Sequence, residues 1–500
     1  MADIQPVQPA KPYVPTTTPA IPNPVLPVEG CASFSNYELA ASLLVVPYIL
    51  QKFIPFAPNG WKTYWFLFVL SGVPTAIGYW YLKSKFGKPI NEKLALPNRG
   101  LEYYLDIKDK ALRDKYVLGG KKIPMQVFHD AYFDKKIEFK GDILDVLEYR
   151  HDWASFEFTP ELFRYVFMNL IPDVVLHSQS QDEEQVRDHY DRGNDFYSWF
   201  LGPRMIYTGG VVTDLTREET LEELQDNKLR LVCEKLELKE GDTMLDIGCG
   251  WGTLATFAGK NYGVDITGVT LAREQTKFGT ERLRQNGVPE SRGRILCMDY
   301  RDIPHAEGKY NKISCLEMAE HVGIRRYSKF LKEIYSLLSD DGIMVFQVAG
   351  LRTCWQFEDL NWGLFMNKYV FPGADASCAL NWVIAQLEHA NFEIKSIDVL
   401  GVHYCATLHR WYKNWLSNEE KVKAKYGDRW FRIWAFFLAY SVIAARQGSS
   451  SVFQITCHKN LNAFPRARLF LRILGVPSHT SLHAPLRKIE PVVSHTEMWE

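Results

Sequence analysis

The chain has 500 residues, of which 46% are hydrophobic, 14% aromatic and 23% charged, and its formal net charge is −1 at pH 7. That length accommodates two or three domains, and so balanced a charge leaves no electrostatic footprint for nucleic acid. The nine cysteines are scattered with no Cys-x-x-Cys pair, so neither a zinc site nor a disulfide framework is indicated, and no metal ligand is expected.

Residues 1–35 repeat proline, as in Pro-Ala-Lys-Pro-Tyr-Val-Pro, which predicts an extended, disordered start. They lack the basic start, apolar stretch and small-residue cleavage site of a signal peptide. Two apolar runs follow, Leu39–Ala57 and Trp61–Leu82, each near the roughly 20 residues that span a bilayer. Pro58-Asn59-Gly60 joins them as a turn. Trp61, Tyr64, Trp65, Trp80 and Tyr81 sit towards the ends of the second run like an interfacial belt. Lys83, Lys85, Lys88 and Lys93 come just after it, and positive residues favour the cytoplasm. Residues 36–85 therefore read as a transmembrane helical hairpin with both ends cytosolic, against the competing reading of two buried or interfacial helices. Residues 86–185 form an accessory region without an assignable motif, helix-like over Gly141–Leu147.

From 186 to 460 strands and helices alternate. Thr243–Ile247, Asp265–Thr270, Arg294–Met298, Lys312–Leu316, Gly342–Ala349 and Ser451–His458 are the strand candidates, with periodic helices such as Ala272–Gln285 and Arg326–Leu338 between them. Such alternation predicts an α/β domain with a mainly parallel, doubly wound sheet. Trp430–Arg446 reads as a buried helix before the last strand, and 461–500 as a polar tail whose three histidines lack metal spacing.

Within this region Leu245-Asp246-Ile247-Gly248-Cys249-Gly250-Trp251-Gly252 reads as a strand end, a glycine turn and a helix start. Glycines let a ligand lie against the backbone, and the helix N-terminus offers unpaired N–H groups. The Asp-x-Gly-x-Gly-x-Gly spacing differs from the dinucleotide pattern and resembles the first motif of S-adenosylmethionine-dependent methyltransferases. Thr270 and Gln275, after the second strand, are candidates for ribose hydroxyls, and Asp299-Tyr300-Arg301-Asp302 offers an aromatic face and polar edge for adenine. Cys315-Leu316-Glu317-Met318-Ala319-Glu320-His321-Val322-Gly323 follows the fourth strand at its ligand-facing end. Upstream, His189-Tyr190-Asp191-Arg192-Gly193-Asn194-Asp195-Phe196-Tyr197 leads to Met205-Ile206-Tyr207-Thr208-Gly209.

Together these segments closely resemble the cyclopropane-fatty-acyl-phospholipid synthase and mycolic-acid methyltransferase family. With the Pro-rich start, hairpin and insert, the whole chain is similar to the sphingolipid-methylating branch of that family. The resemblance implies a Rossmann-like methyltransferase sheet with helices on both faces and S-adenosyl-L-methionine as cofactor. It implies methylation of carbon 9 of the unsaturated sphingoid base of ceramide, on the way to glucosylceramide. The accompanying expectation is a multi-pass protein of the endoplasmic reticulum membrane with a cytosolic catalytic domain.

By this resemblance Tyr207 and Thr208 touch the methionine portion of the cofactor, and Met244, Leu245, Asp246, Ile247, Gly248, Cys249, Gly250, Trp251 and Gly252 form the glycine turn. Thr270, Leu271, Ala272, Arg273, Glu274 and Gln275 match the ribose segment, and Tyr300 and Arg301 the adenine segment. Glu320 and Tyr404 match residues that in the family help hold a bicarbonate acting as base. Two positions depart from the family: Gly209 stands where it usually has Cys, and Gln347-Val348-Ala349 where it often has His. Without that histidine Glu320, His321 and His403 are candidates for handling the proton.

An isolated alkene is a poor nucleophile, so catalysis needs alignment with a sulfonium methyl in a dry pocket and a base for the resulting cation. The aromatic residues between 355 and 371 are expected as cation-stabilising walls. Proton loss from the methylated carbon gives a branch; loss from the methyl gives a cyclopropane. A cyclopropane synthase acting on phospholipid acyl chains is thus the nearest alternative. A non-catalytic membrane protein that senses the cofactor is the alternative of another class.

Overall fold

The computed structural model describes residues 17–21, 32–33, 35–54, 59–88, 96–170, 193–303, 309–353, 356–371, 378–464, 466 and 490–492. Most of the Pro-rich start, Pro58 of the hairpin turn, His189–Arg192, Trp355 and the three tail histidines lie outside them. The chain forms two compact units: one of residues 1–16, 24–175 and 353–368, the other of 17–23, 176–352 and 369–500.

The second unit is built on a seven-stranded sheet, whose strands are β1 (Thr243–Ile247), β2 (Asp265–Thr270), β3 (Gly293–Cys297), β4 (Tyr310–Leu316), β5 (Leu338–Leu351), β6 (Phe392–Val399) and β7 (Ser450–Lys459). Their order is β6-β7-β5-β4-β1-β2-β3. The pairs β3–β2, β2–β1, β1–β4 and β4–β5 are parallel, while β7 runs antiparallel to β5 and to β6. Buried side chains alternate between the two faces. Leu245 and Ile247 join one core with Val269, Ile313 and Cys315, and Met244 joins another with Ile266 and Val345. A sheet covered on both faces needs continuous apolar strands, which is why β1 and β2 are found where the sequence pattern put them. The β6 strand escaped sequence reading because its register shifts between Ile394 and Ser396, a bulge that breaks the two-residue period. The helix Asp428–Arg446 is buried along most of its length, as expected for an apolar run too enclosed to face lipid. Strand order reverses between β1 and β4, so the crevice beyond their C-terminal ends is where an open α/β sheet takes a ligand.

In the first unit the helices Asn36–Phe53 and Trp61–Phe86 pack antiparallel. Tyr64 donates to the Leu44 carbonyl at 3.0 Å and Gln51 to the Gly60 carbonyl at 3.0 Å, while Lys83 pairs with Glu38 at 2.8 Å. Among the described residues one helix, Trp61–Phe86, is long and apolar enough to cross a membrane; its most apolar stretch has mean hydropathy 1.3 and is 6% buried. The first apolar run, carrying Pro47 and Lys52, does not reach that standard.

The rest of this unit packs short helices and two two-stranded pairings around Phe128 and Trp153. Residues 353–368 belong here too, so the chain leaves the second unit after Arg352 and rejoins it at Tyr369. Phe357, Trp362 and Phe365, expected as pocket walls, are instead buried within this unit, Phe365 lying 4.7 Å from His129 between ring centroids. Their helix, Phe357–Phe365, also carries Glu358, which Arg150 binds at 2.5 Å and His151 at 3.1 Å in the interior.

Candidate active site

The β1 strand ends in a turn that glycine alone makes easily. Gly248, Gly250 and Gly252 have φ of +75°, +54° and +73°, in the left-handed region where a Cβ costs energy. A Cβ on Gly252 would stand 2.9 Å from the Gly279 Cα, so this glycine lets the helix Thr253–Tyr262 pack closely. A Cβ on Gly250 would meet no protein atom within 4 Å, although Gly250 lines a cavity. That backbone is open to a ligand, and the residues fit the nucleoside-type cofactor implied by the turn.

The cavity lies within the second unit and holds about 1200 Å3 of atom-free space, part of it open to solvent. Of the expected cofactor residues, Tyr207, Thr208, Asp246 through Trp251, Thr270, Leu271, Gln275, Tyr300 and Arg301 line it. Met244 and Leu245 are wholly buried in the sheet cores, and Gly252 packs on Gly279. Ala272, Arg273 and Glu274 begin the next helix away from the cavity lining. Thr270 donates to Gln275 at 2.6 Å, tying the two ribose candidates together. Asp299 holds Arg301 through both carboxylate oxygens. Trp251 is fixed by Asn194, whose side-chain oxygen accepts from its indole at 2.7 Å, which gives the upstream motif a positioning task. Asp246 accepts from Ser314 at 2.7 Å; burial pushes its pKa up to about 6 against the pull of Ser314 and Lys228.

The other side of the cavity is a polar corner. The helix Gly401–Ser417 clamps the Tyr207–Val212 loop: Gly210 N–H donates to Thr407 at 2.9 Å, and Val212 N–H donates to His403 Nδ1 at 3.0 Å. With Nδ1 accepting a backbone bond, and burial lowering its pKa, His403 is a neutral anchor away from the cavity lining. Tyr404 packs its ring over Gly209, where a Cβ would stand 3.2 Å from the tyrosine Cγ; glycine at this position makes room for it.

Glu317 is the centre of this corner. Its Oε1 accepts from Gly209 N–H at 3.2 Å and from Gln347 Nε2 at 2.6 Å, and the Tyr404 hydroxyl also bonds its carboxylate. Glu317 is half-buried and lines the cavity. Its φ of +56° is uncommon for a residue with a Cβ, a strain of about 1–3 kcal/mol that surrounding structure must hold. Burial raises its pKa, while Gln347, Gly209, Lys228 and Tyr404 pull it back. Lys228 donates to Thr208 at 2.9 Å and is itself lowered to about 8 by burial, against the charges of Glu317 and Asp246.

Glu320 sits in the short turn Ala319–His321, one step beyond the cavity lining. Its Oε1 accepts from Ala349 N–H at 2.6 Å, and its buried Oε2 has no hydrogen-bond partner among the described residues. Burial and the neighbouring Glu317 raise its pKa to about 8, favouring the protonated form. His321 does line the cavity and is lowered to about 4 by burial, hence neutral. Sequence reasoning passed over Glu317 and Lys228. The signal for Glu317 was present, a carboxylate directly after the last residue of β4; Lys228 lies in a helix with no motif.

The seven-strand order, the glycine turn and the cavity at the strand-order reversal define a methyltransferase-type α/β fold. A family model described as mycolic acid cyclopropane synthetase matches residues 177–455. The chain is 56% identical to sphingolipid C9-methyltransferase 2 of Gibberella zeae over 95% of its own length and 89% of the relative's. It is 54% identical to sphingolipid C9-methyltransferase of Komagataella phaffii, covering 90% of this chain and 93% of that one. Among solved structures it resembles mycolic acid cyclopropane synthase CmaA1 complexed with SAH and CTAB, at TM-score 0.52 and 26% identity over 55% of this chain and 98% of that one. The chain belongs to the mycolic acid cyclopropane synthetase family.

Proposed function

We propose that this chain is an S-adenosylmethionine-dependent C-methyltransferase that adds a methyl branch to carbon 9 of the unsaturated sphingoid base of ceramide. The observation that carries the reading is the 56% identity to a protein of that named activity across 95% of the chain. The cavity is consistent with it, pairing an open glycine turn with a carboxylate-lined corner.

S-adenosylmethionine, when bound, supplies an electrophilic methyl. The protein supplies the rest. In this reading the Asp246–Trp251 turn, Thr270, Gln275, Tyr300 and Arg301, which line the cavity, hold the cofactor. Met205, Ile206, Leu316 and Met318 give the cavity apolar walls that exclude water and orient an alkene. Glu317, Glu320 and Tyr404 make the corner in which a proton is handled. In this reading residues 36–85 anchor the protein as a two-pass hairpin in the endoplasmic reticulum membrane, the catalytic unit facing the cytosol. The lipid substrate is then drawn from the same bilayer.

The test is lipid profiling of cells with and without the gene, followed by NMR of the product. A branched methyl at carbon 9 that disappears with the gene is expected; a cyclopropane on phospholipid chains, with sphingolipids unchanged, overturns the reading. Cofactor placement has its own test. Gly250→Val, whose Cβ has no protein neighbour within 4 Å but strains the backbone at φ +54°, should lose S-adenosylhomocysteine binding in calorimetry, with circular dichroism checking that the fold is kept. Normal affinity would remove the turn from the cofactor site.

A further inference from the structure

We infer that Glu317 is the general base of this reaction, its carboxylate taking the place of a free anion in the polar corner of the cavity. The inference rests on the C-methylation proposed above.

The geometry gives Glu317 both access and direction. Among the described residues three carboxylates line the cavity, and two are committed elsewhere: Asp299 to Arg301, and Asp246, almost wholly buried, to Ser314. Glu317 opens on the cavity from the end of β4, and its partners there are an N–H, an amide and a phenol; among the described residues no guanidinium or ammonium is bonded to it. Such donors orient a carboxylate without fixing its charge as an ion pair does.

A chain of side chains behind it sets the direction of those bonds. The Lys235 ammonium, which has only donors, bonds the Gln454 side-chain oxygen and also Asp398 at 2.6 Å. Gln454 must therefore present its NH2 to the Gln347 oxygen, at 2.7 Å, and Gln347 in turn presents its NH2 to Glu317. Gln347 can only donate at that point, so Glu317 is the acceptor. Four residues from three strands and one helix thus hold a carboxylate ready. The left-handed backbone at Glu317 points the same way: glycine would sit there without strain, and the side chain is what that strain keeps in place.

The same arrangement puts the Glu317 carboxylate, among the described residues, where a bicarbonate would otherwise find its donors. Among the described residues, Gly209 N–H, Gln347 and Tyr404, three donors that could hold a small anion here, each bond Glu317 instead. A second negative charge beside it would be repelled.

The step balances. The alkene π pair forms the carbon–carbon bond to the incoming methyl, and the methyl–sulfur bond breaks with its pair left on sulfur. A positive charge is left on the neighbouring carbon. Glu317 takes the proton from the newly methylated carbon, and that C–H pair restores the double bond. Glu317 becomes a carboxylic acid and returns the proton to solvent after product leaves.

The experiment uses the full chain in membranes with an unsaturated ceramide. Wild type is expected to keep its rate in bicarbonate-depleted buffer. Glu317→Gln should turn over about 100-fold more slowly or worse, the range for lost acid–base catalysis, with S-adenosylhomocysteine affinity unchanged. Glu317→Gly, which suits the φ of +56° and vacates the corner, should be slow and be accelerated by added formate or bicarbonate. A wild-type rate that falls on bicarbonate depletion and recovers on its return overturns the inference. So does near-normal turnover by Glu317→Gln, or loss of cofactor affinity equal to its loss of rate. Each of these outcomes leaves the proposed activity standing; a wild-type protein that makes no methylated ceramide takes both down.

Discussion

Glu358 in the first unit and Glu317 in the second are the same side chain put to opposite uses. Burial pushes the pKa of both upward. Glu358 meets Arg150 and His151; the Arg150 charge and the contacts with both side chains hold it far below the usual carboxylate range. Glu317 is bonded by neutral donors, with Lys228 acting on it through space, and its pKa remains raised. The first is a locked anion in a sealed interior; the second faces a cavity and can take up a proton. Burial alone assigns neither role. The identity of the bonding partner, and whether one face is left open, decide it.

The largest expected effect tests the locked half of that contrast. Arg150→Met leaves Glu358 charged and buried with only His151, and should destabilise the protein by about 3–5 kcal/mol, the range for breaking a buried pair. Chemical unfolding measures this. A change below about 1 kcal/mol would mean that Glu358 protonates instead, erasing the distinction from Glu317. The sign of the pH dependence follows. Because the folded pKa of Glu358 is depressed, its contribution is present above the ordinary value of 4.5 and is lost as pH falls below it. Glu317→Gln, by comparison, should leave the unfolding midpoint near that of wild type.

A smaller effect sharpens the open half. A base must be deprotonated to act, so the acid limb of the kcat profile should lie above 4.5, in the direction of the raised Glu317 pKa. The charged and titratable groups that act on it are Lys228 from the helix Leu221–Lys235, Tyr404 from the helix Gly401–Ser417, and Glu320 from the adjoining turn. Lys228 favours the ionised form. Lys228→Met should therefore move the limb to higher pH, by about one unit or less. A limb that stays in place would show that Lys228 serves the Thr208 loop and not the carboxylate.

Much of this was legible in the chain itself. The β1 and β2 strands and the glycine turn follow from patterns within a few residues: apolar side chains at strand spacing, then three glycines where the backbone turns left-handed. Most of the expected cofactor residues line one cavity because the turn and the ends of β2 and β3 converge where strand order reverses. Local order of this kind is dictated by sterics and burial, which neighbouring residues carry between them.

The proton-handling corner was not legible in the same way. Glu317 and Glu320 are three residues apart on one segment, and spacing cannot say which opens on the cavity. That depends on the left-handed backbone at Glu317 and on Gly209, Gln347 and Tyr404, supplied from segments 30 to 108 positions away in the hydrogen bonds to Gln347 and Gly209. The direction of the Gln347 amide depends further on Gln454 and Lys235. Residues 353–368 likewise join the first unit because Arg150, His151 and His129 receive them there, which no local pattern announces. The sequence by itself determined the sheet, the turn and the chemistry available. Only the tertiary structure decided which carboxylate meets donors and which meets charges, because that choice is made by groups far apart in the chain and brought together by packing.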